Sequence, residues 1–407
     1  MSLVRVRFVR DVALTSGAQG VQAVLAMLTG IIVARYFGAQ ARGILSVLVA
    51  LGTMTVLLGS LGIHQSSVYF YGRFKSSRDK VVANSLVMAI AGGVAAAAAL
   101  SALGLLLHRE LLGAIPSRYF VLFLVCVPFM YFNAFEQRIV LGAGRIGTSN
   151  LPYLIQGAGL VLGTGVAILL TGKRVGPLIG VRVIIEVLTS VVLLFAVRRF
   201  ARMRLQLSRS LFREQLRYGL RNYASSLLWL FLLQSDIVLC NYFVGSARTG
   251  VYSVAVSLGL PVTMLANVVG TLTFQRVSSE DMRERRIANT NRSVRVLAPM
   301  AALGLVVLGA VAASIVPAIY GKAFTDASTA LVLLLPGLFA FCVEIVLINF
   351  LAGEGSPPII YRAPFVGLAV NVLANIWVIP RWGINGASVT SSVAYWIVLV
   401  LVVREYL

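Results

Sequence analysis

The chain has 407 residues, 59% of them hydrophobic and only 12% charged, with a mean hydropathy of +0.90. A soluble domain is about 45–50% apolar and a bilayer-spanning helix takes about 20 residues, so this composition excludes a soluble globular protein and leaves no room for a large soluble domain. The net charge of +21 would suit nucleic acid, but most of the arginines fall in connections on one side of the expected membrane, as topology requires, and no nucleic-acid partner is expected.

In chain order, the apolar runs predict spans at 11–34, 42–72, 81–107, 115–142, 148–171 and 176–198, then at 215–244, 248–274, 293–320, 325–353, 358–379 and 384–404. Arg5, Arg7 and Arg10 precede the first run and no small-residue cleavage site follows it, so it reads as a retained span. Gly and Pro punctuate most ends, as at Gly172, Gly176 and Pro177.

Alternate connections carry the charge. One set holds Arg73, Lys75, Arg78, Lys80 and Arg145, the arginines from Arg198 to Arg217, and those from Arg276 to Arg292. The opposite set is sparser, with Arg35, Arg42, Arg109, Arg118, Lys173, Arg174, Arg248, Lys322 and Arg381. This asymmetry predicts a multi-pass inner-membrane protein with both termini cytoplasmic. The connection RRFARMRLQLSRSLFREQLRYGLR mixes arginine with Leu, Met and Phe, and is expected to lie along the inner surface against anionic lipids. It separates a lobe at 1–200 from a lobe at 215–407, with a basic linker at 201–214.

The two halves are related. ARYFGAQARGILSVLVALG from Ala34 aligns with CNYFVGSARTGVYSVAVSLG from Cys240 after one gap, so that Tyr36, Phe37, Gly38, Gly43, Ser46 and Gly52 recur as Tyr242, Phe243, Gly245, Gly250, Ser253 and Gly259. An even number of spans per repeat makes both copies enter the membrane in the same direction. The expected fold is all-α: about twelve transmembrane helices in two six-helix lobes, related by a pseudo-two-fold axis along the membrane normal and rocking around a central cavity.

Phosphate-loop, HExxH and GxSxG patterns are missing, and Cys126, Cys240 and Cys342 lack metal-ligand spacing, so no enzyme chemistry, cofactor or metal is expected. Ionisable residues inside spans are the informative ones, since each costs about 2.5–3.5 kcal/mol at a helix centre. Arg182 and Glu186 stand one turn apart and can pair, either as helix glue or as a cavity-facing anion site with its counter-charge. Asp236 has Gly30 as its counterpart in the first repeat, and a charge in one lobe only suits an ion or proton site.

Glu344 has no partner nearby in sequence, leaving an arginine on another helix or a proton to neutralise it. Glu136 and Arg138 read best as snorkelling near the inner interface. Arg221 and Arg362, at the inner ends of spans seven and eleven, are candidate phosphate ligands. Gln19 and Gln22 on one helix face, and Asn371 and Asn375 on another, either bond neighbouring helices or bind sugar hydroxyls.

The stretches ARYFGAQARGILSVLVAL, QSDIVLCNYFVGSARTGVYSVAVSLG, YGKAFTDASTALVLLLPGLFA and IPRWGINGASVTSSVAY resemble, in this order, the oligosaccharide flippases, polysaccharide exporters within the multidrug and oligosaccharidyl-lipid export superfamily. The resemblance covers nearly the whole chain. It implies translocation of an isoprenoid-diphosphate-linked oligosaccharide from the cytoplasmic to the outer leaflet, with an acidic residue frequent in the seventh helix, here Asp236; without a phosphate loop the expected drive is a substrate gradient or an ion gradient of H+ or Na+. Other glycan-assembly membrane proteins are candidate partners. Two rivals stand beside it: a cation-coupled multidrug exporter, which would favour acidic and aromatic cavity walls, and a membrane-embedded glycan polymerase or ligase, which would need a larger outer loop.

Overall fold

The computed structural model describes residues 2–74, 77–106, 112–113, 115–201 and 206–407, with the backbone alone at 2–9, 12, 221, 222 and 260. The described residues fold into helices α1 (Ser2–Ser60), α2 (Ile63–Arg73), α3 (Arg78–Leu106), α4 (Ser117–Leu124), α5 (Cys126–Gly142), α6 (Ile146–Ser149), α7 (Leu151–Thr171), α8 (Gly176–Arg198), α9 (Arg209–Ser279), α10 (Arg283–Tyr320), α11 (Asp326–Gly353) and α12 (Ile359–Tyr406). Nine helical stretches among them are long and apolar enough to cross a membrane. Three of these, in α1, α9 and α12, are broken by Gly38, Gly245 and Gly383 at positive φ (84°, 78° and 56°). Counting each broken stretch as an out-and-back pair gives twelve passes.

Gly38 and Gly245 adopt the same conformation, φ 84° and ψ −178° against φ 78° and ψ 168°. They are the positions that the internal alignment equates, so the duplication is visible in the backbone. Side chains with a Cβ rarely visit this region, and glycine at both sites lets each chain reverse within a residue.

The contacts divide the chain into two units, residues 1–37 with 48–227, and residues 38–47 with 228–407. The boundary therefore falls inside α9, whereas the sequence reading sets it in the basic connection at 201–214. Arg209 to Glu214 of that connection form the first turns of α9, with Arg209 and Glu214 exposed. Arg202 and Arg204, with Lys75 and Arg109, lie outside the described residues.

The first unit packs α2, α3, α5 and α8 around Phe70, Val81, Val82, Ile139, Val140, Leu193 and Val197, all buried. The second packs α9, α10 and α11 around Ala266, Leu297, Ala301, Cys342 and Val346. Cys126, Cys240 and Cys342 are buried and free, filling core positions as small side chains do.

The expected span at 42–72 is interrupted. Leu61 (φ 47°) and Gly62 (φ 73°) end α1 and turn the chain into α2.

Candidate functional site

Among the described residues, the ionisable positions singled out in the sequence organise one polar cluster in each unit, around Glu186 in the first and Asp236 in the second. In the first unit the organising residue is Glu186 on α8, with a side chain only 1% exposed. Arg182, one turn earlier, meets Oε1 through Nη2 at 3.0 Å and stays 19% exposed. Asn133 of α5 donates from Nδ2 to Glu186 Oε2 at 2.9 Å and to the Glu186 carbonyl at 3.1 Å. Ser190, one turn later on α8, donates to Asn133 Oδ1 at 2.8 Å. Gln156 of α7 reaches Oε2 at 3.4 Å, and Gln22 of α1 donates to Gln156 at 3.3 Å.

One buried carboxylate thus ties α8 to α5, α7 and, through Gln156, to α1. A buried ion pair needs such extra donors to offset its desolvation. Arg182 is fixed on one side by Glu186, while its buried Nε has no partner.

The α1 stripe continues this pattern. Asn150 donates to Thr15 at 3.3 Å and Gln19 to the Tyr153 hydroxyl at 3.2 Å, so Thr15, Gln19 and Gln22 meet Asn150, Tyr153 and Gln156 turn by turn along α7. Of the two roles open to Gln19 and Gln22, bonding between helices is the one seen. Gln19 remains exposed.

In the second unit Asp236 of α9 is buried. Its Oδ1 accepts the Ile237 amide at 2.8 Å, and its Oδ2 accepts the Tyr252 hydroxyl and the Ser391 hydroxyl, the latter at 3.2 Å. Asn371 of α12 donates to Ser391 at 3.2 Å and accepts from Ser235 at 3.3 Å and from Asn375 at 3.1 Å. Asn375 Oδ1 is buried without a partner. Of the two roles open to Asn371 and Asn375, bonding within the helix packing is the one seen, and they stand with Asp236 because the second half of α12 presents Ser391 to both Asn371 and Asp236.

Other expected residues stand apart from these clusters. Glu344 is fully buried on α11, and among the described residues neither carboxyl oxygen has a hydrogen-bond partner and no arginine pairs with it. Glu136 corrects the snorkelling expectation: it is fully buried, again with neither oxygen bonded. Its face of α5 is the packed one, which also buries Asn133, Phe135, Ile139 and Val140.

Arg362 is exposed in the first turn of α12. The side chain of Arg221 lies outside the described residues.

Arg42 reverses a second expectation. Counted as a charge of an outer connection, it lies instead within the helical run after the Gly38 break and donates from Nη2 to Ser257 at 2.8 Å. Its buried Nε has no partner.

Asn133, Gln156, Ser190, Tyr252 and Ser391 were not singled out in the sequence. A weak signal existed for two of them: Ser190 continues the four-residue spacing of Arg182 and Glu186, and Asn133 interrupts an apolar run.

Comparison with known proteins follows the same lines. The profile of the family described as polysaccharide biosynthesis protein matches residues 8–279. A probable flippase of Haloferax volcanii, AglR, is 25% identical over 178 residues, 42% of this chain and 37% of that protein. An uncharacterised membrane protein of Methanocaldococcus jannaschii is 26% identical over 206 residues, 49% of this chain and 40% of that one. The chain therefore matches well under half of the length of these curated relatives.

Among solved structures, the lipid II flippase MurJ in an inward closed conformation superposes with a TM-score of 0.80 at 15% identity, covering 97% of this chain and 87% of that one. An inward-facing multidrug resistance MATE family transporter superposes with a TM-score of 0.74 at 16% identity, covering 94% and 93%. At these identities the likeness establishes a shared transporter fold.

Proposed function

The chain belongs to the polysaccharide biosynthesis protein family, and from that premise we propose that it is a flippase carrying a polyprenyl-diphosphate-linked oligosaccharide across the cytoplasmic membrane. The observation that carries this reading is Arg182, a cation inside an apolar helix, held by Glu186 through Nη2 yet still partly exposed. A diphosphate supplies the acceptor oxygens that such a guanidinium takes. The lipid tail stays in the bilayer while the head passes between lobes that open alternately. The probable flippase among the relatives and the lipid II flippase among the fold neighbours support the same assignment.

The denser arginine in the connections of one side supports cytoplasmic termini and transport outward from that side. The reading assigns a transporter rather than a glycan polymerase or ligase. Asp236 serves as the coupling site. With Ser391, Asn371 and the unpartnered Asn375 Oδ1 nearby, it gathers the oxygen donors that a hard cation such as Na+ takes, and its carboxylate can equally take a proton.

The test is leaflet exposure of a fluorescent polyprenyl-diphosphate oligosaccharide in liposomes holding only this protein, with and without a proton or sodium gradient. Flipping stimulated by a gradient is expected. Its absence across several glycans, with correctly folded protein, would overturn the reading in favour of a cation-coupled drug exporter.

A further inference from the structure

Away from both polar clusters, the second unit carries a cavity of about 360 Å³ at the end of its helices remote from the C-terminus, where the breaks at Gly245 and Gly383 reverse α9 and α12. Arg248 and Asp326 form an ion pair in its wall, one from the turn of α9 and one from the first turn of α11. Trp382 lines it with an indole 65% exposed, and Asn385 lines it two residues beyond the Gly383 break. Asn385 Oδ1 is buried and has no hydrogen-bond partner among the described residues.

These groups match one ligand chemistry. A sugar ring offers an apolar C–H face to an aromatic plane and hydroxyls around its edge. Here the indole supplies the plane, the Asp326 carboxylate and the Arg248 guanidinium supply a charged acceptor and donor side by side, and Asn385 adds an amide side chain to the wall. The volume lies at the low end of the range of about 300–1,000 Å³ typical of ligand pockets, which suits one end of a glycan rather than its length. Because Arg248 and Asp326 neutralise each other in the wall, it carries no spare cation for a uronate carboxylate, and a neutral sugar fits better.

Tryptophan also gathers at membrane interfaces as an anchor, and the neighbouring Trp377 fits that role: it is 67% exposed, with Arg381 packed over its ring at 5.3 Å. Trp382 differs in facing a cavity built of polar groups.

We propose that this cavity is a saccharide subsite, binding a neutral hexose or N-acetylhexosamine unit at the face to which the glycan is delivered. The proposal rests on the glycan being the substrate, but it concerns a site separate from Arg182 and Asp236.

The chain has four tryptophans. Replacing Trp229, Trp377 and Trp396 by Phe leaves Trp382 as the only indole of the full-length protein. Its emission is titrated with the methyl glycosides of glucose, galactose, N-acetylglucosamine and glucuronic acid. A saturable change with a neutral sugar is expected, with affinity falling at least tenfold in Asp326→Asn and in Asn385→Leu. Emission unresponsive to all four sugars, or an equal response in both variants, would overturn the subsite. So would strong quenching of Trp382 by brominated lipid after reconstitution, since the indole would then lie in the bilayer. The flipping assay on the same preparations separates the two ideas: flipping without a sugar response rejects the subsite alone, and loss of flipping with the sugar response intact rejects the flippase reading alone.

Discussion

Gly43 and Gly250, at equivalent positions of the two repeats, bring their helices into backbone contact: a methyl group on Gly43 would overlap the carbonyl of Ser246, and one on Gly250 would overlap the carbonyl of Ala39. Ala39 and Ser246 are themselves equivalent, so the contact is the same on both sides. Small residues permit this kind of approach between helices in a membrane. Arg42 and Ser257 close the same seam with their hydrogen bond.

Replacing either glycine by alanine forces backbone against backbone, with no flexible side chain to give way. Gly43→Ala is expected to cost about 1–3 kcal/mol as an overpacked substitution. The double variant is expected to cost less than the sum, because the first substitution already opens the seam for the second. Unfolding of the purified protein in increasing detergent denaturant measures this. Full additivity would mean that the two glycines do not share one contact.

Glu186 is the acceptor for Arg182, Asn133 and Gln156. Glu186→Leu leaves the largely buried Arg182 and the Gln156 amide without their acceptor, while Asn133 keeps the backbone carbonyl of residue 186; breaking a buried pair in this way costs about 3–5 kcal/mol. Arg182→Gln with Glu186→Gln removes both charges and is expected to recover much of that stability. It should still abolish flipping, because the phosphate donor is gone. A double variant that is stable and flips at the normal rate would remove Arg182 from the transport path.

The parts of this arrangement that were legible in the sequence are those set over short distances along the chain. Helix α8 runs over the expected 176–198, Arg182 pairs with Glu186 across one turn, and the glycines marked by the repeat, Gly38 and Gly245, are the positions where the chain reverses. Partners brought together by packing were not legible. Asn133 is 53 residues from Glu186, and Ser391 is 155 residues from Asp236. Hydrophobicity alone also misplaced Arg42 and Glu136, since a charge counted by position reads as a loop or interface residue until the helix burying it is known.

Asp236 offers a test of coupling that does not depend on transport. A cation bound to the folded state raises its stability by about 2.7 kcal/mol at a hundred times its dissociation constant. Sodium is expected to raise the melting temperature above that in choline chloride at equal ionic strength, and Asp236→Asn, which removes the charge and keeps one acceptor oxygen, is expected to abolish the difference. If sodium has no effect, the gradient dependence of flipping in the same variant tests the proton alternative: a variant that still responds to a proton gradient would exclude Asp236 from coupling altogether.

Tyr223 holds the joint between α1 and α9. Its hydroxyl donates to the carbonyls of Leu57 at 2.9 Å and Leu58 at 2.7 Å, two of the last groups of α1 before the break at Leu61 and Gly62. Such terminal carbonyls run short of amide donors within their own helix, and Leu57 also accepts the Ser60 hydroxyl at 2.8 Å. Around them Gln65 donates to Ser226 at 3.3 Å and Tyr69 stacks on Tyr218 with centroids 4.7 Å apart. Tyr223→Phe keeps the ring and removes only the donor; Leu57 keeps the Ser60 hydroxyl, so the expected cost is mainly that of the lost bond to the Leu58 carbonyl, about 1–3 kcal/mol. Hydrogen exchange is expected to accelerate over residues 57–74 and 215–227 and to stay unchanged in α10 and α11. If this joint must open for the head group to enter, the same variant should also shift the balance between conformations and change the flipping rate. Faster exchange with an unaltered rate would make the joint purely structural, and unaltered exchange would show that the two hydrogen bonds do not hold it.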